Sequence, residues 1–258
     1  MVDMEALCAD VADLVQGGGA LAVVHGGSHE TNQISEKLGH PARFVTSVSG
    51  HVSRYTDRKT LEIFAMVTAG RINKLLVELL QQRGVNAVGL SGLDGRTVEA
   101  KHKTALRIVE NGKRKVLRGD YSGAIDAVNP WLLETILNGG GVPVVAPLAI
   151  SHEGVALNVD GDRVAAAISS ALQAQTLVIL SNVPGLLRDV DDEGSLIAHI
   201  PSAEAPEVLE RYAQGRMKKK MLGAVEALKD GVERVIIADG RVDQPLCRAL
   251  DGTGTVIE

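Results

Sequence analysis

Four short segments of this 258-residue chain carry residues whose types and spacing suit the binding of phosphate or carboxylate groups. The first is VHGGS, in which Gly26 and Gly27 stand between an apolar run and a helical pattern. Glycine has no Cβ, so the backbone of such a pair can approach an anion closely, and a helix N-terminus adds free N–H groups and a favourable dipole. We predict an anion site at this turn, with a plain tight turn as the alternative.

The second segment places three polar side chains, Asn158, Asp160 and Asp162, at the start of an Ala-rich helical pattern. Capping of the helix N-terminus would account for one of the two aspartates. The crowding of all three at one helix start favours a ligand site, with capping alone as the alternative.

The third and fourth segments are QGRMKKK and SNVPGLL. In the third, Lys218, Lys219 and Lys220 open a helix, where cations oppose the helix dipole; this placement indicates a function, unless the lysines form only a solvated surface. In the fourth, Pro184 and Gly185 suit a type II turn directly after a strand. Ligands of open α/β sheets bind at that carboxyl edge.

Composition and charge exclude several other classes of protein. The chain contains six aromatic residues in all and has a net charge of −5, which disfavours a surface that stacks single-stranded nucleic acid. No GxxxxGK[ST] occurs and no GxGxxG follows a strand, which argues against P-loop and Rossmann sites. Neither a signal peptide nor an apolar run of about 20 residues is present, so we expect a cytoplasmic protein without membrane contact. Cys8 and Cys247 lack metal-ligand spacing, so we expect two buried thiols and no metal site.

The elements that must position these segments alternate between strands and helices. Continuous apolar runs predict buried parallel strands at residues 21–25, 86–90, 142–147, 176–181 and 234–239. Helical patterns cover residues 4–16, 57–82, 129–138, 160–174 and 217–229. Between residues 97 and 118, two strand-like runs surround Asn111-Gly112, which predicts a projecting β-hairpin. This alternation of strands and helices is typical of an α/β protein.

The order of the segments VHGGS, SRYTDRKT, GLSGLDG, NVDGD, SNVPGL and QGRMKKK resembles the amino acid kinase family over nearly the whole chain. VHGGSHETN, GHPARFVTS and GRMKKKMLGAVEA are most similar to the branch of LysW-aminoadipate and LysW-glutamate kinases. The resemblance implies a three-layer α/β/α sandwich around a mainly parallel sheet. An acceptor lobe would comprise residues 1–172 and a nucleotide lobe residues 173–258.

The same resemblance implies the roles of individual residues. Lys220 would neutralise charge on the transferring phosphoryl group and Asp162 would orient it, with Asp160 of second rank. The acceptor would be bound by His25, Gly26, Gly27, Arg54 and Asn158. The nucleotide would be bound by Asn182, Val183, Pro184, Gly185, Leu186, Gly215 and Met217.

What such an enzyme does also follows from the resemblance. ATP, with Mg²⁺ bridging its phosphates, would phosphorylate the side-chain carboxylate of 2-aminoadipate or glutamate in lysine or arginine biosynthesis. The amine of that amino acid would be masked by the C-terminal glutamate of a small acidic LysW-type carrier protein, and the kinase would form a homodimer or higher homo-oligomer. The alternatives are an N-acetylglutamate kinase and a catalytically impaired regulatory homologue.

The chain departs from the family pattern at its beginning. Family members start with a strand that ends in Lys-x-Gly-Gly, whose lysine shares charge neutralisation with the late-helix lysine. Here no Lys or Arg precedes Lys37, which we interpret as a start site placed too far downstream, with a genuine truncated product as the alternative.

The predicted hairpin is strongly basic. Between residues 96 and 118 only Glu99 and Glu110 oppose eight basic residues, namely Arg96, Lys101, Lys103, Arg107, Lys113, Arg114, Lys115 and Arg118. In a chain of net charge −5, we predict that this positive patch lies beside the acceptor site and steers an acidic carrier, with a solvated face as the alternative.

Overall fold

The computed structural model describes residues 2–48, 50, 52–110 and 112–258, and places sheets between two layers of helices. The α-helices are α1 (Met4–Gln16), α2 (Ser28–Lys37), α3 (Arg58–Ala65), α4 (Asn73–Gln82), α5 (Trp131–Asn138), α6 (Gly161–Ala171), α7 (Ala205–Tyr212), α8 (Gly215–Lys229) and α9 (Pro245–Leu250). The strands are β1 (Val23–Val24), β2 (Arg43–Ser47), β3 (Val52–Tyr55), β4 (Ala87–Ser91), β5 (Val98–His102), β6 (Ala105–Glu110), β7 (Lys113–Arg118), β8 (Gly123–Val128), β9 (Val142–Ala146), β10 (Leu148–Ile150), β11 (Ala156–Asn158), β12 (Thr176–Ser181), β13 (His199–Ile200), β14 (Arg234–Asp239) and β15 (Thr255–Ile257).

Two mainly parallel sheets form the middle layer. One has the order β1-β9-β4 with only parallel pairs, and the other has the order β12-β14-β15-β13, in which β14 and β15 alone are antiparallel. Helices α6 and α8 cover β12 from one side, and α9, flanked by α1, covers it from the other. Continuous apolar strands such as β9, which is buried at every position, suit a sheet covered on both faces. The predicted α/β/α architecture is confirmed.

Most element boundaries agree with the sequence pattern. Strands β12 and β14 and helix α1 have the predicted bounds. Strand β1 is shorter than the predicted run at residues 21–25, because only Val23 and Val24 pair with β9. The division into an acceptor lobe and a nucleotide lobe stays a prediction.

The helix predicted at residues 57–82 is interrupted by a π-helical segment. Asp57 caps α3, whose helical path continues through the π-helix Met66–Ile72 into α4. A π-turn widens the helix, and such segments frequently occur at functional sites. Here it sets which side chains of the long helix face the turn after β1.

The predicted hairpin is shorter than the sequence suggested. Strands β6 and β7 form it and belong to a sheet of order β3-β2-β6-β7, whereas β5 pairs with β8 and β10 in a separate sheet. The prediction of one hairpin from residue 97 was therefore wrong in its first part, because a polar connection after His102 separates β5 from β6. Asn111, the first residue of the predicted turn, lies outside the described residues.

The two cysteines are free and differ in burial. Cys8 lies in the core, and burial raises the pKa of its thiol to about 11. Cys247 is only half-buried, which corrects the expectation of two buried thiols, and burial raises the pKa of its thiol as well. Among the described helices, none is both long enough and apolar enough to cross a bilayer.

Candidate active site

The glycine pair lies where two helices begin. Gly27 caps α2, and a Cβ atom built on it would lie 2.7 Å from Thr68 Cγ2 and 2.8 Å from Ile72 Cδ1. A Cβ built on Gly161, the first residue of α6, would lie 4.0 Å from the Cα of Gly26. A Cβ on Gly26 itself would meet no described atom within 4 Å, so its backbone is open to a ligand. Helix α2 begins without a side-chain cap among the described residues, so its first N–H groups, beside an open glycine and near the start of α6, form a suitable anion site.

Lys220 reaches the same region from α8. Its Nζ lies 2.9 Å from Oδ1 of Asp162, in the first turn of α6, and its side chain is only 16% exposed. The two helices are in contact here, since a Cβ built on Gly223 of α8 would lie 3.4 Å from the carbonyl oxygen of Asp162. A half-buried ammonium group is therefore held next to the helix start that adjoins Gly26.

The other two lysines of the run have different partners. Lys218 Nζ lies 3.2 Å from Glu210 Oε2 on the neighbouring α7, and Lys219 Nζ lies 3.6 Å from Asp160 Oδ2. Oδ1 of Asp160 accepts hydrogen bonds from the backbone N–H groups of Asp162 and Arg163, at 3.1 and 3.3 Å. Asp160 thus caps the N-terminus of α6, whereas the carboxylate of Asp162 pairs with Lys220.

Arg54 is an unusually buried cation beside the glycine pair. It is 8% exposed, and burial lowers the pKa of its guanidinium. Its Nη2 donates to the hydroxyl and the carbonyl oxygen of Ser28, at 2.9 and 3.2 Å, and its Cζ lies 5.4 Å from the ring centroid of Phe44. Its Nη1 is buried without a hydrogen-bond partner among the described residues. Because an unpaired buried donor is costly, an anionic ligand would stabilise this arrangement.

Asn158 is fixed at the end of β11 by a buried network. Its Nδ2 donates to Thr56 Oγ1 at 3.0 Å, and the backbone N–H of Thr56 donates to Asp120 Oδ1 at 2.9 Å. Asp120 is fully buried and also accepts from the N–H and the hydroxyl of Ser122. Neither Thr56 nor Asp120 could be predicted from the sequence, because a buried carboxylate in a loop carries no periodic signal.

The predicted nucleotide turn follows β12 at the carboxyl edge of its sheet. Asn182, Val183 and Pro184 lead to Gly185, where a Cβ would lie 2.5 Å from Thr255 Oγ1. The same hydroxyl accepts from the N–H of Leu186 at 2.8 Å. Gly185 is therefore required for close packing against β15 as well as for the turn.

The other predicted nucleotide residues stand at the start of α8. Gly215 has a φ of 53° and no described atom within 4 Å of a Cβ built on it, while Met217 packs against the core that includes Met221. No hydrogen bond or ion pair among the described residues joins this helix start to residues 182–186, so the structure leaves the two segments unconnected. Two surface cavities of about 260 and 390 Å³ include none of the predicted site residues.

The sequence model that describes the amino acid kinase family matches residues 2–239 of the chain. The chain belongs to the amino acid kinase family. The resemblance that the motifs predicted is confirmed, whereas the roles of the glycine turn and of the late helix stay predictions.

Relatives of this amino acid kinase agree with the predicted branch. It is 58% identical to a LysW-aminoadipate kinase of Deinococcus radiodurans, over 99% of this chain and 87% of the relative. It is 55% identical to a LysW-aminoadipate kinase of Thermus thermophilus, over 99% of this chain and 96% of the relative. Among solved structures, N-acetylglutamate synthase of Neisseria gonorrhoeae is similar with a TM-score of 0.79 and 28% identity, over 98% of this chain and 55% of that chain.

In this amino acid kinase, the side chain of His25 faces the protein interior. It is 8% exposed; its Nδ1 donates to the carbonyl oxygen of Gly26 at 2.8 Å, and its Nε2 accepts from Asn73 Nδ2 at 3.2 Å. Burial lowers the pKa of His25, which agrees with a neutral ring in this tautomer. Both ring nitrogens thus have partners within the protein, and His25 supports the glycine turn from behind. Asn73 was not predicted from the sequence; its buried amide also donates to the carbonyl oxygen of Val144 at 2.8 Å.

Proposed function

We propose that this amino acid kinase transfers the γ-phosphoryl group of ATP to the side-chain carboxylate of 2-aminoadipate bound to a LysW-type carrier protein, in lysine biosynthesis. The observation that carries the proposal is the Lys220–Asp162 pair beside Gly26, in a chain 58% identical to a LysW-aminoadipate kinase. Family membership implies ATP as the phosphoryl donor.

On the acceptor side, Arg54 and Asn158 would bind the α-carboxylate of the acceptor. A guanidinium offers two parallel donors to a carboxylate, and the Nη1 of Arg54, which has no partner among the described residues, could be one of them. The backbone of Gly26 and Gly27 would receive the reacting end, because the open glycine and the two adjacent helix starts favour negative charge there.

In the transfer step, an oxygen of the acceptor's side-chain carboxylate forms a bond to the γ-phosphorus while the bond to the bridging oxygen of ADP breaks. The products are an acyl phosphate and ADP. The acceptor is already an anion at neutral pH, so no general base is needed. Lys220 would neutralise charge on the phosphoryl oxygens, and Asp162, 2.9 Å from its Nζ, would hold the ammonium group in position.

On the nucleotide side, Asn182 to Leu186, Gly215 and Met217 would contact ATP. Among the described residues, no three His, Cys, Asp or Glu side chains are grouped as a metal site requires, and Asp160 and Asp162 both have lysine partners. This donor set fits Mg²⁺ bound mainly through ATP phosphates, as Mg²⁺ commonly is, and the ion would supply further charge neutralisation.

Hydroxamate trapping of the acyl phosphate tests the proposed function. We expect product with LysW-bound 2-aminoadipate, a preference of about tenfold over LysW-bound glutamate because the acceptors differ by one methylene, and little product with N-acetylglutamate. A rate with N-acetylglutamate that equals the rate with the carrier substrate would instead make the chain a kinase of free small molecules.

Substitution of Arg54 tests the acceptor site. We expect Arg54→Ala to raise KM for the carrier-bound acceptor by about tenfold or more, as loss of a charged hydrogen bond would, with a smaller change in kcat. KM for ATP should stay unchanged. Arg58→Ala is the matched control, because Arg58 is exposed and pairs only with Glu62 among the described acidic residues, 3.1 Å away. An Arg54 variant whose main defect is KM for ATP would contradict the assignment.

A further inference from the structure

Thr56 lies between the two side chains that the proposed function assigns to the acceptor's α-carboxylate. Its hydroxyl donates to the backbone carbonyl oxygen of Arg54 at 3.4 Å and accepts from Asn158 Nδ2 at 3.0 Å. Thr56 is fully buried. A single buried hydroxyl thus connects β3, which carries Arg54, with the end of β11, which carries Asn158.

The direction of these two hydrogen bonds fixes the amide of Asn158. A threonine hydroxyl has one hydrogen, and the carbonyl oxygen of Arg54 can only accept it. The hydroxyl must therefore accept from Asn158, so the amide turns its Nδ2 toward Thr56. Within the part of the chain that the structure describes, Asn158 makes no other side-chain hydrogen bond. The second hydrogen of its Nδ2 and its Oδ1 are thus available to a ligand.

The backbone of Thr56 is held on both sides. Its N–H donates to Oδ1 of Asp120 at 2.9 Å, and its carbonyl oxygen accepts from the N–H of Tyr121 at 2.6 Å. Asp120 is itself fully buried, and its Oδ2 accepts from the N–H of Ser122 at 3.1 Å. Thr56 is therefore fixed relative to residues 120–122. A rigid support of this kind sets the geometry of a neighbouring ligand-binding group.

The same segment also holds the end of β11. The backbone N–H of Asn158 donates to the carbonyl oxygen of Tyr121 at 2.8 Å, and Ser122 and Asn158 form a parallel β-bridge. These backbone contacts position the Cα of Asn158. The orientation of its amide, by contrast, depends on the hydroxyl of Thr56.

We propose that Thr56 is a positioning residue of the acceptor site, whose hydroxyl orients the amide of Asn158 and couples it to the strand that carries Arg54; this rests on the proposed function. The terminal torsion of asparagine has only a broad preference, so an unsupported amide would rotate. Fixing the amide in advance reduces the entropy that is lost when an acceptor binds.

Replacement of Thr56 by valine tests the proposal, because both side chains are β-branched and only the hydroxyl is lost. We expect Thr56→Val to raise KM for LysW-bound aminoadipate by about tenfold, the scale of one lost hydrogen bond, and to change kcat by less than about threefold. KM for ATP should stay unchanged. Thr56→Ser, which keeps the hydroxyl, should remain within about twofold of the parent chain in KM for the acceptor.

Thr97→Val is the matched control for the loss of a buried hydroxyl. Thr97 is also fully buried, and its hydroxyl donates to the carbonyl oxygen of Asp94 at 2.6 Å. We expect this variant to leave KM for the acceptor unchanged. An equal rise of this KM in Thr97→Val or in Thr56→Ser would overturn the positioning role.

A double-mutant cycle shows whether Thr56 acts through Asn158. In an Asn158→Ala background no amide remains to be oriented, so Thr56→Val should change KM for the acceptor by less than about a further twofold. Effects of the two substitutions that multiply in the double variant would overturn the proposal. If valine at position 56 prevents folding, Thr56→Ser and Thr56→Ala give the same comparison, since serine and alanine differ only by the hydroxyl.

Denaturant unfolding and steady-state kinetics together separate the possible failures. A Thr56→Val variant that is less stable but has an unchanged KM for the acceptor would show that the hydroxyl has only a structural role. A parent chain that forms no acyl phosphate with this acceptor overturns the proposed function and the inference with it. An active parent whose Thr56→Val variant has normal kinetics overturns the positioning role alone.

Discussion

Replacement of Lys220 by alanine is expected to lower kcat by about a hundredfold or more, the scale seen when one charge-stabilising donor is removed from an active site. Lys220 Nζ is held by Asp162 at the start of α6, next to Gly26, and the side chain is only 16% exposed. The ammonium group would act on charge that develops during transfer, so we expect KM for the acceptor to change little. Single-turnover formation of hydroxamate with LysW-bound aminoadipate would measure the effect on chemistry.

Lys218→Ala serves as the control for Lys220→Ala, because Lys218 lies on the same helix two residues away and pairs with Glu210 on α7. We expect it to retain nearly full activity, since exposed ion pairs contribute little. Comparable losses of kcat in the two variants would mean that the three lysines have only a structural or surface role.

Alanine substitutions at the two adjacent glycines should affect different properties, catalytic activity at Gly26 and stability at Gly27. In Gly26→Ala, the new methyl group meets no described atom within 4 Å, so folding should be unaffected while the methyl group blocks the approach of the reacting groups to the backbone. We expect kcat/KM to fall by about a hundredfold, as displacement of reacting groups by about 1 Å can cause.

Gly27→Ala should instead act on stability. Its Cβ would lie 2.7 Å from Thr68 Cγ2, and Thr68 cannot rotate freely because its hydroxyl donates to the carbonyl oxygen of Phe64 at 2.7 Å. We expect a loss of about 1–3 kcal/mol in the free energy of unfolding, typical of overpacking. Denaturant unfolding and steady-state kinetics on both variants would test the pair. Full activity in Gly26→Ala would mean that no ligand approaches this backbone.

The sequence predicted the strands of the middle layer well where apolar runs are continuous. Strands β12 and β14 have the predicted bounds, because burial on both faces requires an unbroken apolar run. The run at residues 21–25 overstated β1, since local composition does not show that only Val23 and Val24 have a strand to pair with.

Site residues were predicted when they belonged to a motif with its own chemistry, such as the glycine turn and the lysine run. The residues that hold them in place were missed. Asn73 lies in a long helix and Asp120 in a loop, where polar residues are normally solvated, and only the fold shows that both are buried. The sequence correctly predicted that the hairpin carries a net positive charge. It did not show which basic side chains form ion pairs, because that depends on strand alternation and on contacts such as the pair of Glu110 with Lys115.

The π-helical segment determines where the long helix from Arg58 to Gln82 tolerates a change of length. Helices usually tolerate changes of side chain more readily than changes of length, whereas loops accept insertions and deletions. A π-turn contains more residues than an α-turn, so deletion of one residue between positions 66 and 72 would let the segment close into an ordinary α-helix while α4 keeps nearly its present orientation. A residue inserted into α3, by contrast, would turn everything after it by about 100°, the angle per residue of an α-helix. Asn73 would then leave His25, so one added residue there would dismantle the support of the glycine turn without changing any residue that touches a substrate.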